Sequence, residues 1–293
     1  MPGLSIEPGE VCLYITEACN SNCIMCPMSE ESRKKARSFS EKDWVEVLDT
    51  IPKDVSHFTI TGGEPFLQHQ KLISFLQRIT EDYPDVPILI LTNGRALSIP
   101  WLQEALSPII SENFLFAVPI HDYAEDQHDT ITQTPGSFSQ TWNGLRFLSK
   151  TKAKIEIRIV GTQMNIHRMN GIFHFLADSP IPISVINLIA MEVTGSAARK
   201  RDHLWVEYRD LYQQAKSGIQ YAVEHQIDIG LYNFPLCAVP KEAWPLCKNS
   251  ITEWKIRYME DCKNCGVKDA CGGMFYSVQE LGLFHPVPVV EVL

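Results

Sequence analysis

Long apolar runs are missing from this chain of 293 residues, and so is any excess of basic side chains. No uncharged apolar stretch approaches the roughly 20 residues that a membrane-spanning helix needs. No early stretch joins basic residues to an apolar segment, so we expect no signal peptide and a cytoplasmic location. Lysine and arginine total 26 against 35 acidic residues, a net charge of −9. Nucleic-acid binding is disfavoured, because it normally requires a basic surface.

Cysteine, in contrast, is plentiful, and three of the nine cysteines are spaced C-x3-C-x2-C at Cys19, Cys23 and Cys26. Nine cysteines in a cytoplasmic chain indicate metal or redox use rather than disulfides. No fourth cysteine and no histidine lies near the triplet. A closed structural site uses four protein ligands, whereas an open site leaves one position for a cofactor. The triplet therefore predicts a [4Fe–4S] cluster with one open iron, and a zinc knuckle with a distant fourth ligand is the alternative.

Two features close to the triplet are predicted to be structural. Cys12 lies in the apolar run before it and is predicted to be a core residue, since buried free cysteine is common in cores. The basic run at residues 33–37 follows it. A solvated loop is the expectation there, with an anion or partner contact as the alternative.

Strands and helices alternate six times along the first two thirds of the chain, after an expected irregular arm over residues 1–10. This is the pattern of βα units in a parallel sheet, and six units of one hand make a partial barrel. The fold class is therefore predicted to be α/β, a partial (β/α)6 TIM-like barrel. The predicted strands are 11–16, 57–61, 86–92, 114–120, 155–160 and 185–190, and the predicted helices follow Ser40 and cover 72–79, 101–106, 138–148 and 172–176.

Beyond the sixth strand the pattern changes to a long helical stretch at 204–223, a strand at 227–232 and a cysteine-rich remainder. We expect a barrel domain over 1–198 and a small cysteine-rich domain over 199–293.

Chemistry in such folds lies beyond the carboxyl ends of the strands. The first predicted strand ends just before Cys19 and the second just before Gly62-Gly63-Glu64-Pro65, so both stretches fall on one face. The two glycines let the backbone approach a ligand closely, and the Glu64 carboxylate can accept hydrogen bonds from an ammonium group. Alone, this motif would be an ordinary turn.

Together the triplet and the Gly-Gly-Glu-Pro motif resemble the signature of the radical S-adenosylmethionine (SAM) enzymes. In that family the open iron binds SAM, and the reduced cluster cleaves it to a 5′-deoxyadenosyl radical. The resemblance implies that Gly62, Gly63 and Glu64 bind the methionyl amino group. It also implies an external electron donor such as flavodoxin or ferredoxin. The residue before the third cysteine is usually aromatic in the family and is Met25 here, whose adenine contact would be largely through its backbone.

Further cofactor contacts are expected at Asn93, Arg158 and Glu192. Asn93 belongs to a Thr-Asn-Gly turn that resembles a family turn near the cofactor, and Glu192 ends the sixth strand. Arg158 lies within a strand and would need an anionic partner if it points into the barrel, which the SAM carboxylate could supply. An outward Arg158 paired with Glu156 is the alternative. The loop after the fourth strand adds four candidates for substrate contact, with a surface position as the alternative: His121, Asp122, His128 and Asp129. No catalytic base is identified.

A second cysteine group follows as C-x2-C-x5-C at Cys262, Cys265 and Cys271, with Cys237 and Cys247 upstream. The spacing resembles the auxiliary-cluster segment of SPASM and "twitch" radical SAM enzymes, and a structural zinc ribbon is the alternative. A full SPASM segment would have a further cysteine at position 275, where Phe275 stands. We therefore expect one auxiliary [4Fe–4S] cluster on Cys237, Cys262, Cys265 and Cys271, with Cys247 as the spare.

Several weaker segments resemble the radical SAM maturases of the His-Xaa-Ser system, among them 116–120, 136–138, 232–237, 250–255 and 262–275. This resemblance implies a ribosomally made peptide as the substrate, modified at an unactivated carbon by a cross-link or another carbon-centred change. Only eighteen residues precede Cys19, so we expect a separate partner protein to present the peptide. The alternatives are a glycyl-radical-enzyme activase, a small-molecule enzyme of cofactor biosynthesis, or a non-enzymatic iron–sulfur carrier.

Overall fold

The computed structural model describes residues 3–7, 9–34, 41–249, 251 and 253–290, with side chains described from residue 9 except at 41–45. The strands are β1 Gly3–Glu7, β2 Glu10–Tyr14, β3 His57–Thr61, β4 Ile88–Leu91, β5 Phe114–Pro119, β6 Lys154–Gly161, β7 Ile183–Ala190, β8 Asp228–Tyr232, β9 Cys247–Lys248, β10 Ile256–Arg257 and β11 Met274–Phe275. The α-helices are α1 Glu30–Lys34, α2 Glu41–Thr50, α3 His69–Asp82, α4 Pro100–Leu106, α5 Glu125–Thr132, α6 Ser137–Leu148, α7 Met169–Ala177, α8 Gly195–Arg199, α9 Arg201–Leu204, α10 Tyr208–Glu224 and α11 Tyr276–Glu280.

The main sheet has nine strands in the order β1 to β9, so every strand pairs with its neighbours in the sequence. β1 is antiparallel to β2, and the eight strands from β2 to β9 are parallel. Most parallel pairs are joined by a helical crossover, and the sheet curls into a half-barrel. The predicted partial TIM-like barrel with a cysteine-rich C-terminal region is thus confirmed. β10 and β11 form a separate antiparallel pair within that region.

The two faces of the curled sheet differ in chemistry, as β6 illustrates. Ile155, Ile157 and Ile159 are fully buried in the apolar core between the sheet and the helices. Because side chains alternate along a strand, Glu156 and Arg158 lie on the opposite face, toward the barrel interior. Among the described helices, none is both long and apolar enough to pass through a lipid bilayer.

Three sequence predictions about elements need correction, and a fourth, the strand at 227–232, is confirmed. The arm over residues 1–10 contains β1, and the helical stretch at 204–223 is divided between α9 and α10. The stretch between the fourth strand and the next helix contains α5, which no apolar periodicity indicates. The strand at 227–232 is β8, which pairs with β7 and so extends the barrel sheet. Ser40, the predicted helix cap, lies outside the described residues, and the division at residue 198 stays a prediction.

Candidate functional site

The cysteine loop, residues 19–26, follows β2 and is fixed by the turn that follows β3. Gly63 N donates to Thr16 O at 2.6 Å, and Glu64 N donates to Ala18 O at 2.8 Å. A Cβ atom added to Gly63 would lie 2.3 Å from Ala18 O. The sequence predicts that the backbone of Gly63 approaches a ligand closely. In the structure, the backbone of Ala18 lies beside Gly63. The glycines thus bring the ends of β2 and β3 into contact.

Glu64 joins the ends of two strands inside the molecule, where its side chain is fully buried. Its Oε1 accepts hydrogen bonds from Phe66 N at 3.0 Å and Thr92 Oγ1 at 2.8 Å, and its Oε2 accepts one from Asn93 N at 2.7 Å. Burial raises the pKa of this carboxyl, and the three donors act against that shift. The carboxylate therefore organises the loop after β4 before any ligand is considered, and its contact with an ammonium group stays a prediction.

Asn93 and Arg95 connect the loop after β4 to the cysteine loop. Asn93 Nδ2 donates to Asn20 Oδ1 at 2.6 Å and lies 3.9 Å from Cys19 Sγ. The Arg95 guanidinium donates to the Asn20 carbonyl oxygen and, at 3.2 Å, to Ser21 Oγ. Arg95 was not among the predicted site residues. Its position two residues after Asn93 could have indicated that it lies near the cysteine loop. The structure thus brings the carboxyl ends of β2, β3 and β4 together around Cys19.

The far end of the cysteine loop is held by α1 and α8. Arg33 is 9% exposed and donates to Asn22 Oδ1 at 2.7 Å and to Ser196 Oγ at 3.5 Å. Ser196 N donates to Cys26 O at 3.0 Å. Gly195 adopts φ +55°, and a Cβ atom there would lie 2.2 Å from Pro27 O. The prediction of a solvated basic loop is wrong at Arg33, whose guanidinium is buried, while residues 35–37 lie outside the described residues.

The three thiols of the cysteine loop are half-buried, and burial disfavours the thiolate form at Cys19 and Cys23. Burial raises the pKa of Cys23 to about 12, and the Cys19 and Cys26 thiols add to that shift while Arg33 opposes it. Burial also raises the pKa of Cys19. A bound metal would replace the protons with positive charge and reverse this preference.

The side chains of Met25 and Cys12 lie in different surroundings, one in an apolar cluster and one on the inner face of the sheet. The Met25 side chain is 5% exposed and packs in a small apolar cluster with Ile131, Met191 and Val193. Any adenine contact of Met25 is therefore left to its backbone, and that contact stays a prediction. Cys12 is half-buried on the face of β2 opposite the buried Val11. The prediction that Cys12 belongs to the core is wrong, because alternation turns it toward the barrel interior.

Arg158 lies on the inner face of β6 and is paired there with Glu156. The distance from Arg158 Nε to Glu156 Oε1 is 2.5 Å, and the guanidinium lies 5.8 Å from the centre of the Tyr232 ring. The structure combines the two alternatives for Arg158, since the side chain points inward and has Glu156 as its partner. Its contact with a SAM carboxylate stays a prediction.

Glu192 follows β7 and is paired with a residue from the cysteine-rich region. Lys255 Nζ donates to Glu192 Oε1 at 2.9 Å and to Oε2 at 3.2 Å. Both side chains are largely buried, with 17% of Glu192 and 26% of Lys255 exposed. The pair connects the rim of the barrel to the segment before β10, and a cofactor contact of Glu192 stays a prediction.

Three of the four candidates after β5 are buried, and the fourth, Asp129, is half-buried. Asp122 is fully buried and accepts two hydrogen bonds from Arg168, at 2.6 and 2.9 Å. His128 Nδ1 accepts from His121 N at 3.2 Å. Asp129 accepts from Ser137 Oγ and from the first backbone N–H groups of α6. A surface position is therefore excluded for His121, Asp122 and His128, and among the described residues no hydrogen-bond partner reaches the buried His121 Nδ1.

The second cysteine group surrounds one cavity between the barrel and the C-terminal segment. Cys237, Cys262, Cys265 and Cys271 all line this cavity, and Cys247 does not. Two backbone N–H groups, those of Leu236 and Gly273, each lie 3.4 Å from Cys271 Sγ. Such donors stabilise a thiolate, so the donor set fits an iron–sulfur cluster. The identity of the ligands stays a prediction.

Zinc is the alternative at both cysteine groups, and it requires ligands that meet at one ion. Within the described ranges, no three histidine, cysteine or acidic side chains are close enough to share a single metal ion. In a [4Fe–4S] cluster each thiolate binds a different iron, so the sulfur atoms lie further apart. The cluster and the zinc alternative therefore both stay predictions at the two cysteine groups.

Comparison with known proteins places the barrel among enzymes that use SAM. Residues 13–176 match the model of the Radical SAM superfamily. The chain is 32% identical over 86 residues to a GTP 3′,8-cyclase of Campylobacter jejuni, which is 28% of this chain and 26% of the cyclase. It is 23% identical over 179 residues to the sporulation killing factor maturation protein SkfB of Bacillus subtilis, 60% of this chain and 41% of SkfB.

The fold is also similar to that of SuiB from Streptococcus suis, whose crystal structure contains the precursor peptide SuiA. The TM-score is 0.60 at 15% identity, over 76% of this chain and 48% of SuiB. At that identity the likeness shows a shared fold. The matched parts make up less than half of each curated relative.

Proposed function

The chain belongs to the radical SAM superfamily and is an enzyme that cleaves SAM, and we propose that it is a maturase that modifies a ribosomally made peptide. The modification is a cross-link or another carbon-centred change. The observation that carries the proposal is the second cysteine group, whose four members line one cavity beside a half-barrel of the SuiB type. SkfB, a relative by sequence, is also named as a maturation protein. The likeness to the His-Xaa-Ser system maturases is part of this proposal.

Cys19, Cys23 and Cys26 are the proposed ligands of a [4Fe–4S] cluster in the cysteine loop. The residues fit such a group, because they are three half-buried thiols without a fourth protein ligand nearby. When bound, the cluster and SAM supply a 5′-deoxyadenosyl radical that abstracts hydrogen from the substrate. The chain's contribution is orientation and the exclusion of water.

The side chains around the loop act as positioning groups in this proposal. Glu64 and Asn93 hold the loop after β4 against the cysteine loop, and they leave the turn at Gly62 and Gly63 to face the methionyl end of SAM. Arg158 and Glu192 lie further around the barrel and complete the proposed cofactor contacts. Cys237, Cys262, Cys265 and Cys271 are the proposed ligands of one auxiliary [4Fe–4S] cluster.

Three partners belong to the proposal: the precursor peptide, a separate protein that presents it, and an electron donor such as flavodoxin or ferredoxin. If the isolated chain binds and modifies its peptide tightly without help, the presenting protein is unnecessary. A cytoplasmic location follows from the same proposal, because ribosomal peptides and reduced electron donors are available there.

A small-molecule substrate is the second candidate, favoured by the match to the GTP 3′,8-cyclase. One assay distinguishes the peptide maturase from the small-molecule enzyme. Reduced, iron-loaded protein is incubated with SAM and either GTP or candidate precursor peptides, and the products are measured by mass spectrometry. A mass change in the peptide supports the maturase, and conversion of GTP without any peptide change rejects it.

The auxiliary cluster is tested separately, by iron and sulfide analysis of variants. About eight irons per chain are expected when both clusters are loaded, and about four in Cys265→Ser, which keeps only the first site. Zinc in the second site, or an unchanged iron content in Cys265→Ser, contradicts the proposed auxiliary cluster.

A further inference from the structure

A large cavity lies against the inner face of β8. Its volume is about 930 Å³, and it extends from the start of β8 at Asp228 to the end of that strand at Tyr232. Pockets of this size hold drug-sized ligands. None of the cysteines lines this cavity.

The deep wall of this cavity carries a buried carboxylate. Glu156 and Asn187 both line it, and only 3% of Glu156 and 2% of Asn187 are exposed. Glu156 Oε1 accepts the hydrogen bond from Arg158 Nε, and within the described part of the chain no hydrogen bond reaches Oε2. A carboxylate can accept several hydrogen bonds, so Oε2 remains available to a donor inside the cavity.

The sheet is irregular at the position of this carboxylate. Ile155 pairs with Ile183, whereas the next residue, Glu156, pairs with Val185, so β7 has one extra residue at this point. Such bulges redirect side chains and recur next to functional sites. The irregularity therefore supports a role for Glu156 beyond the packing of the barrel.

The remaining charged side chains on the cavity wall are one carboxylate, Asp228, and one ammonium, Lys248. Asp228 is exposed at the mouth and adds a second carboxylate. Lys248, also on the wall, is turned to the Pro245 carbonyl oxygen at 3.3 Å. The one cationic partner of Glu156, Arg158, occupies a single carboxylate oxygen.

We propose that this cavity binds a basic side chain of the substrate peptide, with Glu156 accepting its hydrogen bonds. The inference rests on the proposed function and adds a specificity-determining residue to it. From Glu156 to the end of β6 is about 16 Å at ~3.3 Å per residue. The bound lysine or arginine would thus anchor the peptide deep in the barrel, while another residue of the peptide meets the rim where Cys19 lies.

The test is a titration of the iron-loaded full chain with three blocked tripeptides, Gly-Lys-Gly, Gly-norleucine-Gly and Gly-Glu-Gly, followed by NMR of the tripeptides. Norleucine keeps the apolar part of lysine and removes the charge. We expect the lysine tripeptide to bind at least tenfold more tightly than the other two, and Glu156→Gln to remove that preference. Glu104→Gln, at an exposed glutamate on α4, is the matched control and should keep it.

Glu156→Gln leaves Arg158 without its ionic partner, and the variant could misfold for that reason. A second variant therefore tests the inference independently. Val185→Phe narrows the cavity and keeps both members of the ion pair, and Val290→Phe is the matched control at an exposed valine. Loss of lysine binding in Val185→Phe supports the inference. Equal binding of all three tripeptides, or lysine binding unchanged in Val185→Phe, overturns it. The titration needs neither SAM nor maturation, so its failure leaves the proposed function standing.

Discussion

Gly63 shows how one missing side chain shapes the site. A Cβ atom at this position would lie 2.3 Å from Ala18 O and 2.5 Å from Glu17 O, both of them backbone atoms that cannot rotate away. We predict that Gly63→Ala lowers the free energy of unfolding by about 1–3 kcal/mol through overpacking. Because the displaced backbone leads directly into Cys19, iron retention should fall as well. Chemical denaturation and iron analysis measure the two effects.

Gly136→Ala is the control for this prediction. Gly136 has φ +76° but open space around it, so an alanine there costs about 1 kcal/mol of backbone strain and meets no atom. Its iron content should match that of the unchanged protein. Full iron content in Gly63→Ala would show that the close contact with residues 17–18 does not shape the cysteine loop.

The buried histidines after β5 make stability depend on pH. Burial lowers the pKa of His121 to about 3 and that of His128 to about 4. Both are neutral when folded, whereas the unfolded chain takes up protons below its ordinary pKa of about 6.5. The stabilisation is therefore complete above pH 6.5 and is lost as pH falls toward 4. Each histidine should contribute a slope of about 1.4 kcal/mol per pH unit in that window.

Denaturation curves between pH 7 and pH 5 test this expectation. His128→Gln should show a shallower loss of stability on acidification than the unchanged protein, by about one proton. His225→Gln removes an exposed histidine and should keep the original slope. Parallel slopes in all three proteins would show that the buried pair does not control acid stability.

At the scale of elements, one ion pair joins the barrel rim to the cysteine-rich region. Lys255 and Glu192 are both largely shielded from water, so loss of the ammonium leaves a carboxylate with poor solvation. We predict that Lys255→Gln lowers the free energy of unfolding by about 1–2 kcal/mol and speeds amide hydrogen exchange in residues 253–257. Denaturation and hydrogen exchange measured by mass spectrometry report the two effects.

The control is another lysine pair in the same region. Lys263 and Glu260 form an ion pair whose side chains are 66% and 81% exposed, and such pairs contribute little. Lys263→Gln should therefore leave stability and exchange unchanged within about 0.5 kcal/mol. If Lys255→Gln behaves like Lys263→Gln, the rim and the cysteine-rich region are not coupled by this pair.

A second connection between elements runs through Arg33, which ties α1 to the cysteine loop and α8. Its buried guanidinium makes a charged hydrogen bond to Asn22, so Arg33→Gln should cost about 1.5–3 kcal/mol and increase iron loss. Lys34→Gln, next to it on the exposed side of α1, removes an equal charge from a surface pair with Glu30 and should have almost no effect. Iron release to a chelator and chemical denaturation compare the two variants, and equal behaviour would contradict a structural role for Arg33.

Apolar spacing in the sequence predicted individual strands and helices, because these depend on neighbouring residues. The strand at 57–61 and the end of α4 at Leu106 agree with the structure because apolar spacing marks them directly. The burial of Arg33 and the ion pair of Glu192 with Lys255 could not be predicted, because their partners are distant in sequence. β1 was missed because it is short and flanked by Pro2 and Pro8, which indicate an irregular segment.

At the scale of the whole molecule, the curled sheet brings separate stretches of sequence to one rim. The ends of β2, β3 and β4 meet around Cys19, and α8 contacts the other side of the cysteine loop through Ser196. A parallel half-barrel makes this convergence automatic, since every strand ends at the same edge. The account therefore depends on one property of the assembled rim, the binding of SAM at an iron that the protein leaves open.

Electron paramagnetic resonance of the reduced, anaerobically prepared protein measures that property most directly. The account predicts a cluster signal that changes when SAM is added, because the cofactor binds the open iron of the cluster held by Cys19, Cys23 and Cys26. A reduced-cluster signal that is identical with and without SAM would contradict it.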